Sequence, residues 1–287
     1  MDGSESLAER TIGPEHAESL VALSAEAGWN QVAADWRFML TEGRGVGVTD
    51  AAGRWIASAL TLPLGKQLAW ISMVLTTKAW RGKGIGTRLL RRSIDTARMG
   101  GAVAGLDATE FGRPIYLPLG FTDVFPLTRW HLDRPPQPAP PPAGIRLRRL
   151  GSADITAVSA YDAPRSAMER GAILAHLQNR APYLAFAAEA RDEIVGFVLG
   201  RDGRFAHHIG PVVANSETIA LALIAQATAA ANPPFLLDAA NRHAGVRRWL
   251  ESSGATAPRG FMRMTLGESP GLADAENLFA VSGPELA

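Results

Sequence analysis

An apolar segment, a glycine-rich loop and an amphipathic segment follow one another in Ile71-Ser72-Met73-Val74-Leu75-Thr76, Arg81-Gly82-Lys83-Gly84-Ile85-Gly86 and Thr87–Met99. The first segment predicts a buried strand, and the helical spacing of apolar residues in the last predicts a helix. A helix start presents unpaired N–H groups and a partial positive charge, and glycines let the backbone approach a diphosphate closely. The pattern therefore predicts an anion site, with a tight turn that binds nothing as the alternative.

Two common phosphate-binding loops do not fit this stretch. A P-loop needs a Gly-Lys-Ser/Thr sequence, which is missing here. A dinucleotide-binding loop opens the first βαβ unit, whereas this loop follows several predicted strands. The glycine spacing alone is a weak signal, so the rest of the chain must decide what it binds.

Strands and helices alternate in the first half in an order that predicts a mixed α/β sheet. Predicted strands are 10–12, 45–49, 55–62, 69–76, 103–109, 120–124 and 128–132, and predicted helices are 14–28, 32–40, 87–99 and 114–119. Asp50-Ala51-Ala52-Gly53 predicts a hairpin turn between the second and third strands.

A proline-rich stretch, residues 135–142, divides the chain, because proline fixes φ and removes a backbone donor. It predicts an extended, stiff connector. We expect an N-terminal domain over residues 1–134, a linker over 135–143, a C-terminal domain over 144–268 and a tail over 269–287.

The second half repeats the order of predicted elements, which implies a duplicated domain. A helix over 155–177, interrupted near Pro164, follows its first strand, and further strands and helices continue to a last strand at 261–265. The loop after Val213 is short and lacks glycine, and Glu217 brings negative charge to the helix start. Arg201, Arg204, His207 and His208 are expected to be ordinary surface charges, with contact to an anionic substrate group as the alternative.

Composition limits the class of protein. The formal net charge is +1 and no cysteine is present, which excludes disulfides, thiolate metal sites and a cysteine nucleophile. Without a concentrated basic surface or a long apolar run, neither a nucleic-acid nor a membrane partner is expected. Met1-Asp2-Gly3-Ser4-Glu5 is acidic and unlike a secretory signal, so we expect a cytoplasmic protein.

The loop and the segments around it resemble the acyl-CoA-binding signature of the GNAT superfamily of N-acetyltransferases, and in particular a bacterial subgroup with two such domains in tandem. The resemblance covers nearly all of residues 9–268 and is carried by Arg81-x-x-Gly84-x-Gly86, Leu106-Asp107-Ala108-Thr109, Gly112-Arg113, Tyr116-Leu117-Pro118-Leu119-Gly120-Phe121, Gly28-Trp29-Asn30-Gln31, Asp35-Trp36, Ile209–Ala214 and Phe261–Met264. It implies two GNAT-like domains, each with a mixed, mostly antiparallel sheet flanked by helices.

The resemblance also implies a cofactor site. Acetyl-CoA or another acyl-CoA is the expected co-substrate, and no metal is expected. Backbone groups of Met73, Val74 and Leu75 would pair with the pantetheine arm, with an N–H near Val74 polarising the thioester carbonyl. The pyrophosphate would lie on Arg81, Gly82, Lys83, Gly84, Ile85, Gly86 and Thr87.

The implied reaction is direct attack of a bound amine on the thioester. Tyr116 corresponds to the tyrosine that protonates the departing thiolate; the alternative is a core aromatic residue. A phenol with its ordinary pKa of about 10 is close enough to a thiol to act as general acid. Glu110, Asp35 and His131 are candidate bases, although Glu110 and Asp35 can equally cap helices and a water can take the proton.

The acceptor is expected to be a small-molecule or peptide amine. An O-acyltransferase and a non-catalytic acyl-CoA sensor on the same fold are the alternative functions. The second domain is expected to have lost the cofactor and to shape the substrate cleft or form a homodimer contact.

Overall fold

The computed structural model describes residues 7–269 and 271–287. Its contacts divide the chain into two compact units, Met1–Leu106 and Asp107–Ala287. The acidic residues 1–5, whose composition is unlike a secretory signal, lie outside the described residues.

The first unit is a sheet with three helices. Its described elements are β1 (Ala8–Ile12), α1 (Ala17–Glu26), α2 (Ala33–Glu42), β2 (Arg44–Thr49), β3 (Trp55–Pro63), β4 (Leu68–Thr76), α3 (Ile85–Met99) and the start of β5 (Val103–Thr109). The strands lie side by side in chain order from β1 to β5. The neighbours β1 and β2, β2 and β3, and β3 and β4 are antiparallel, whereas β4 and β5 are parallel.

Helix α3 forms because its apolar residues recur every three or four positions and bury one face. Ile85, Leu89, Leu90, Ile94 and Ala97 are all buried. The first two of these pack with Val48 and the inward side chains of β3, so the helix start is fixed against the sheet. This packing holds the glycine loop that precedes α3.

The second unit contains the remaining described elements. They are α4 (Arg113–Tyr116), β6 (Thr122–Leu132), β7 (Arg146–Arg149), α5 (Ile155–Ser166), α6 (Gly171–Arg180), β8 (Phe186–Ala190), β9 (Glu193–Arg201), β10 (His207–Ala214), α7 (Glu217–Ala229), β11 (Phe235–Ala240), α8 (Ala244–Ser252), β12 (Thr256–Leu266) and β13 (Leu278–Val281). Its strand order is β12-β6-β11-β13-β10-β9-β8-β7. Antiparallel pairing predominates, with β10 and β11 parallel.

Strand β6 explains why the compact units divide before the proline-rich stretch. It precedes that stretch in sequence, yet it lies between β11 and β12 and pairs with both. The proline-rich residues are also held, since the Gln137 amide donates to the Ser253 hydroxyl at 3.0 Å. The domain limits at 134 and 144 remain predictions about the duplicated sequence.

One local expectation was wrong, and another holds with a small shift in position. The final strands expected at 120–124 and 128–132 are one strand, β6, which runs through Pro126. Strand β6 pairs with β11 only from Leu127 onward, and Pro126 pairs with Met262 of β12. Because proline has no N–H to donate, it is tolerated at a position where the strand has a partner on one side. The helix is interrupted close to Pro164, as expected: α5 ends at Ser166, and the next residue, Ala167, adopts the left-handed conformation with φ 56°.

The expected tail, 269–287, contributes a core strand. Within it β13 lies between β10 and β11, and Leu278, Ala280 and Val281 are fully buried. The sequence does not predict this strand, because the segment is short, is flanked by polar residues and shows neither helical nor alternating spacing of apolar residues.

Buried charges occupy the centre of the second unit. Arg129 and Asp238 form a two-pronged ion pair with both distances 2.7 Å, and Arg201 pairs with Glu285. His208 is 1% exposed and lies 3.6 Å from the Asp238 carboxylate. Arg201 and His208 were expected at the surface, and that was wrong, because segment 278–287 covers them.

Both units show the mixed, mostly antiparallel sheet with flanking helices that the sequence predicted, so the fold class is confirmed. Every helix in the described part of the chain is too short or too polar to cross a lipid bilayer.

Stability should depend on pH through His208. Burial lowers the pKa of His208 to about 3, so the folded protein keeps it neutral. An unfolded histidine takes up a proton below about pH 6.5. The free energy of unfolding should therefore fall as the pH drops from about 6.5 towards 3, by up to about 1.4 kcal/mol per pH unit from this group.

Denaturant titrations between pH 7 and 4.5 measure this slope. We expect His208→Gln to reduce it, whereas His131→Gln, on β6, serves as the matched control and should keep it. An equal slope in wild type and His208→Gln would contradict the assignment.

Candidate functional site

Two left-handed glycines shape the loop before α3. Gly82 has φ +75° and Gly84 has φ +74°, a conformation that costs other residues about 1–2 kcal/mol. A Cβ added at either position would meet no atom within 4 Å. The glycines are thus required by the backbone, and open space lies beside the loop.

The start of α3 presents free amides to that space. Gly84 is the residue before the helix, and its carbonyl accepts from the Arg88 amide at 3.0 Å, which leaves the amides of residues 85–87 outside the helical ladder. The helix has 15 residues, long enough to place a partial positive charge at its start. A Cβ on Gly86 would lie 3.2 Å from the Thr76 hydroxyl oxygen, so glycine lets the first turn approach the end of β4.

Two exposed cations belong to the loop. Arg81 Nε donates to the Thr76 carbonyl at 3.1 Å, which fastens the loop to β4. Lys83 Nζ lies 4.4 Å from the centroid of the Trp80 ring. Amides, helix dipole and cations thus favour an anion with several oxygen atoms.

A bulge interrupts β4 ahead of the loop. The register with β3 shifts so that Met73 and Val74 together face Ala59, and Met73 takes φ 50°. The buried Ser58 hydroxyl donates to the Met73 carbonyl at 2.8 Å and so stabilises the bulge. Bulges re-aim backbone groups next to active sites.

The parallel pairing of β4 with β5 is short. It covers Leu68–Trp70 against Val103–Gly105, whereas β4 runs on to Thr76. Within the described residues of the first unit, the edge of β4 beyond Trp70 is available to pair with an extended ligand.

Asp35 lies in the first turn of α2 and is fully buried. Its carboxylate accepts the Val32 amide at 2.8 Å, which is the capping role left open as the alternative to a base. On the same helix, Met39 Sδ lies 3.9 Å from the Ser72 hydroxyl, so α2 packs on β4 near the bulge.

Tyr116 ends α4 in the second unit. Burial raises its pKa to about 12, above the ordinary value expected from the sequence. Its ring lies 6.0 Å from that of Phe121, and a Cβ on Gly112 would come within 2.9 Å of Tyr116 Cε2. Gly112 thus makes room for the phenol, a role that the Gly-Arg sequence does not reveal.

Glu110 occupies the exposed turn between β5 and α4. It shares that turn with Phe111, which is 88% exposed. The structure therefore gathers β4 and the glycine loop in the first unit, and Glu110 and Tyr116 around α4 in the second. Ser58 and Thr76 support the site without any signal in the sequence, because only the sheet register brings them there.

Helix α7 holds the corresponding position in the second unit. Ser216 caps it, and Glu217 Oε1 accepts the Val246 amide at the start of α8, at 2.9 Å. Glu217 is therefore the first residue of α7, and its carboxylate contacts the start of α8. Within the described residues no group of three or more His, Asp or Glu could hold a metal ion.

Comparison with protein families identifies this arrangement. Residues 16–115 match the family described as "Acetyltransferase (GNAT) family", and residues 158–280 match the "Acetyltransferase (GNAT) domain". The chain belongs to the GNAT superfamily. It carries two GNAT domains in tandem, as the sequence motifs indicated.

Individual relatives agree with this assignment. The chain is 24% identical over 230 residues to the "Uncharacterized N-acetyltransferase YitH" of Bacillus subtilis (strain 168), covering 80% of each chain. It shares its fold with a putative acetyltransferase from Pyrococcus horikoshii, with TM-score 0.80, 18% identity and coverage of 98% and 96%. A tandem GNAT protein from the clavulanic acid biosynthesis pathway gives TM-score 0.63 at 16% identity, covering 92% of this chain and 100% of that one.

Gly84→Glu should weaken acetyl-CoA binding about 100-fold or more. The substitution sets a negative charge beside the helix start, and losing two hydrogen bonds to a charged group at about 1.5 kcal/mol each gives that factor. Isothermal titration calorimetry measures the dissociation constant.

Gly53→Glu is the matched control. Gly53 has φ +76°, and a Cβ there also meets no atom within 4 Å, but it lies in the β2–β3 turn. Both variants should lose similar stability, and only Gly84→Glu should lose affinity. Equal affinities in the two variants would show that the loop does not bind the cofactor.

Proposed function

We propose that this GNAT protein transfers the acyl group of an acyl-CoA, with acetyl-CoA as the preferred donor, directly to an amine. The observation that carries the proposal is the pair of left-handed glycines at the start of α3, beside open space and two cations. GNAT acetyltransferases use acetyl-CoA or another acyl-CoA, and this loop fits the diphosphate of such a molecule.

In the proposed complex the backbone holds the donor. The amides of Gly82 to Thr87 bind the pyrophosphate, with Arg81 and Lys83 adding charge. The edge of β4 at Met73–Leu75 pairs with the pantetheine arm. The bulge at Met73 supports a special role for the next amide, Val74 N–H, which polarises the thioester carbonyl; fixed donors of this kind contribute strongly to acyl transfer.

The proposed reaction has no acyl-enzyme. The amine nitrogen attacks the thioester carbon, the C–N bond forms, the C–S bond breaks, and the sulfur leaves as a thiolate. The amine loses a proton, and the thiolate gains one. We assign to Tyr116 the role of general acid towards the leaving sulfur.

The raised pKa of Tyr116 refines that assignment. A phenol with a pKa of about 12 stays protonated throughout the neutral range, so it always has a proton to donate. An ordinary thiol has a pKa of about 8.5. Full transfer to the thiolate is therefore uphill, and Tyr116 stabilises the departing sulfur mainly by hydrogen bonding while the proton from the amine completes the neutralisation.

Two carboxylates are candidates for the base that takes the proton from the amine, and their environments differ. Asp35 already accepts the Val32 amide, which favours its capping role. Glu110 lies exposed at the end of β5 and is the better carboxylate candidate. Proton loss through water is the third route.

The acceptor is proposed to be a small-molecule or peptide amine, and the protein is proposed to be cytoplasmic. Homodimer formation and the absence of nucleic-acid or membrane partners stay predictions.

Release of free thiol from acetyl-CoA, measured with matched panels of amines and alcohols, tests the function. Turnover with alcohols alone would favour O-acyl transfer, and binding without thiol release would favour the sensor.

Tyr116→Phe should lower kcat about 100-fold, the usual effect of losing a general acid. The dissociation constant for acetyl-CoA should change less than about twofold, because the hydroxyl acts only on the leaving sulfur. Steady-state kinetics and calorimetry measure the two quantities.

Tyr183→Phe is the control, since the Tyr183 hydroxyl contacts His207 Nδ1 at 3.4 Å within the second unit. It should leave kcat unchanged. Wild-type turnover in Tyr116→Phe would remove this phenol from the mechanism, and parallel losses of affinity and rate would show a packing role instead.

A further inference from the structure

The second unit opens its sheet in the same way as the first and then closes the gap with its own chain. Strands β10 and β11 pair in parallel over His207–His208 and Phe235–Leu236 only. Beyond that point β13 enters between them. It pairs with Val212 and Val213 of β10 on one side and with Asp238 and Ala239 of β11 on the other.

The start of this insertion is fastened by a pair of hydrogen bonds. The Ala214 amide donates to the Asn277 carbonyl at 3.0 Å, and the Asn277 side-chain amide donates to the Ala214 carbonyl at 2.8 Å. The end of β10 is thereby satisfied by the inserted segment rather than by a ligand.

Gly210 lets the inserted strand approach. It has φ +152°, and a Cβ at this position would collide with the Val281 carbonyl oxygen. A glycine in the middle of β10 therefore has a packing reason that lies in β13.

Charge completes the fit. Glu285 and Arg201 form an ion pair in which the two side chains are 3% and 1% exposed. Arg170 Nη1 donates to the Ala287 carbonyl at 2.6 Å while its other nitrogens bind Asp162. Removing one partner of a buried pair leaves a charge without compensation, which costs several kcal/mol.

The start of helix α7 carries a negative charge of its own. Glu217, the first residue of α7, accepts the Val246 amide at the start of α8. Because like charges repel, this carboxylate disfavours a diphosphate at the start of α7.

We propose that the second domain carries an internal substitute for the extended arm of acyl-CoA, which is segment 272–287, and that Glu217 disfavours a diphosphate at the start of α7. The opened sheet is a binding cleft for an extended peptide with an acidic side chain, and its ligand is supplied by the chain itself. The domain therefore binds no cofactor. The inference rests on the proposed function only in taking the first domain as the acyl-CoA site.

An engineered disulfide tests the docking in the full chain, which has no cysteine of its own. Ala239 and Ala280 face each other across the antiparallel β11–β13 pair, where Cα atoms lie about 4.5–5.5 Å apart, within the range of a disulfide. Ala239→Cys/Ala280→Cys should crosslink under mild oxidation, as measured by mass spectrometry of non-reduced peptides.

Ala239→Cys/Ala273→Cys is the control, because Ala273 is exposed and precedes β13 in the same segment. It should form no intramolecular bond. A folded Ala239→Cys/Ala280→Cys protein that fails to crosslink would overturn the proposal.

Hydrogen exchange tests whether the cofactor competes with the segment. The amides of Leu278–Val281 should exchange slowly in the wild type and remain unchanged at saturating acetyl-CoA, with one acetyl-CoA bound per chain. Faster exchange on adding acetyl-CoA, or two bound molecules per chain, would overturn the proposal.

Gly210→Ala should speed exchange of these four amides at least about tenfold without altering acetyl-CoA affinity. Gly151→Ala is the matched control, since Gly151 has φ −94° and a Cβ there meets its nearest atom at 3.7 Å. If Gly210→Ala does not fold, the disulfide result decides. If the wild type binds no acetyl-CoA, the proposed function fails while the crosslink and the exchange rates still decide this inference.

Discussion

The early parting of two parallel strands is the constraint on which each GNAT domain of this protein depends. Once such strands separate, the backbone amides and carbonyls along both inner edges lose their ladder partners, and buried groups of that kind need new ones. The ladder of β4 with β5 is three residues long, and that of β10 with β11 is two. What pairs with these edges differs between the two domains.

The two domains solve the same problem with different partners. The first has glycines and cations at the start of α3, and these favour the binding of an anion that is not part of the chain. In the second, β13 pairs along the open edges, so the chain itself supplies the missing backbone partners. Glu217 adds negative charge at the start of α7. The second domain thus keeps the parted strands of the fold, and its own chain supplies partners for the backbone groups that the parting leaves open.

Buried charge ties the inserted segment to the rest of the second unit. Arg129 with Asp238 and Arg201 with Glu285 give a balanced pair of cations and anions around a neutral His208. Burial of a charge is tolerated only when its counter-charge is present, so the buried Arg201 depends on Glu285 of the segment. Tyr116 shows the milder effect of burial on a neutral group, which keeps its proton more firmly than a phenol in water.

The sequence by itself determined the features that depend on neighbouring residues. Local spacing predicted α3, the Asp50–Gly53 hairpin turn and the glycine loop, since helix faces, turns and left-handed glycines are set within a few positions. Motif resemblance predicted the two GNAT domains. Only the tertiary structure decided which strands flank β6, that segment 278–281 becomes a core strand, and that Arg201 and His208 are buried. Those outcomes depend on residues far apart in the sequence, as with Arg201 and Glu285, which are 84 positions apart. No local periodicity records such a meeting, because burial and charge compensation arise only when the chain has folded.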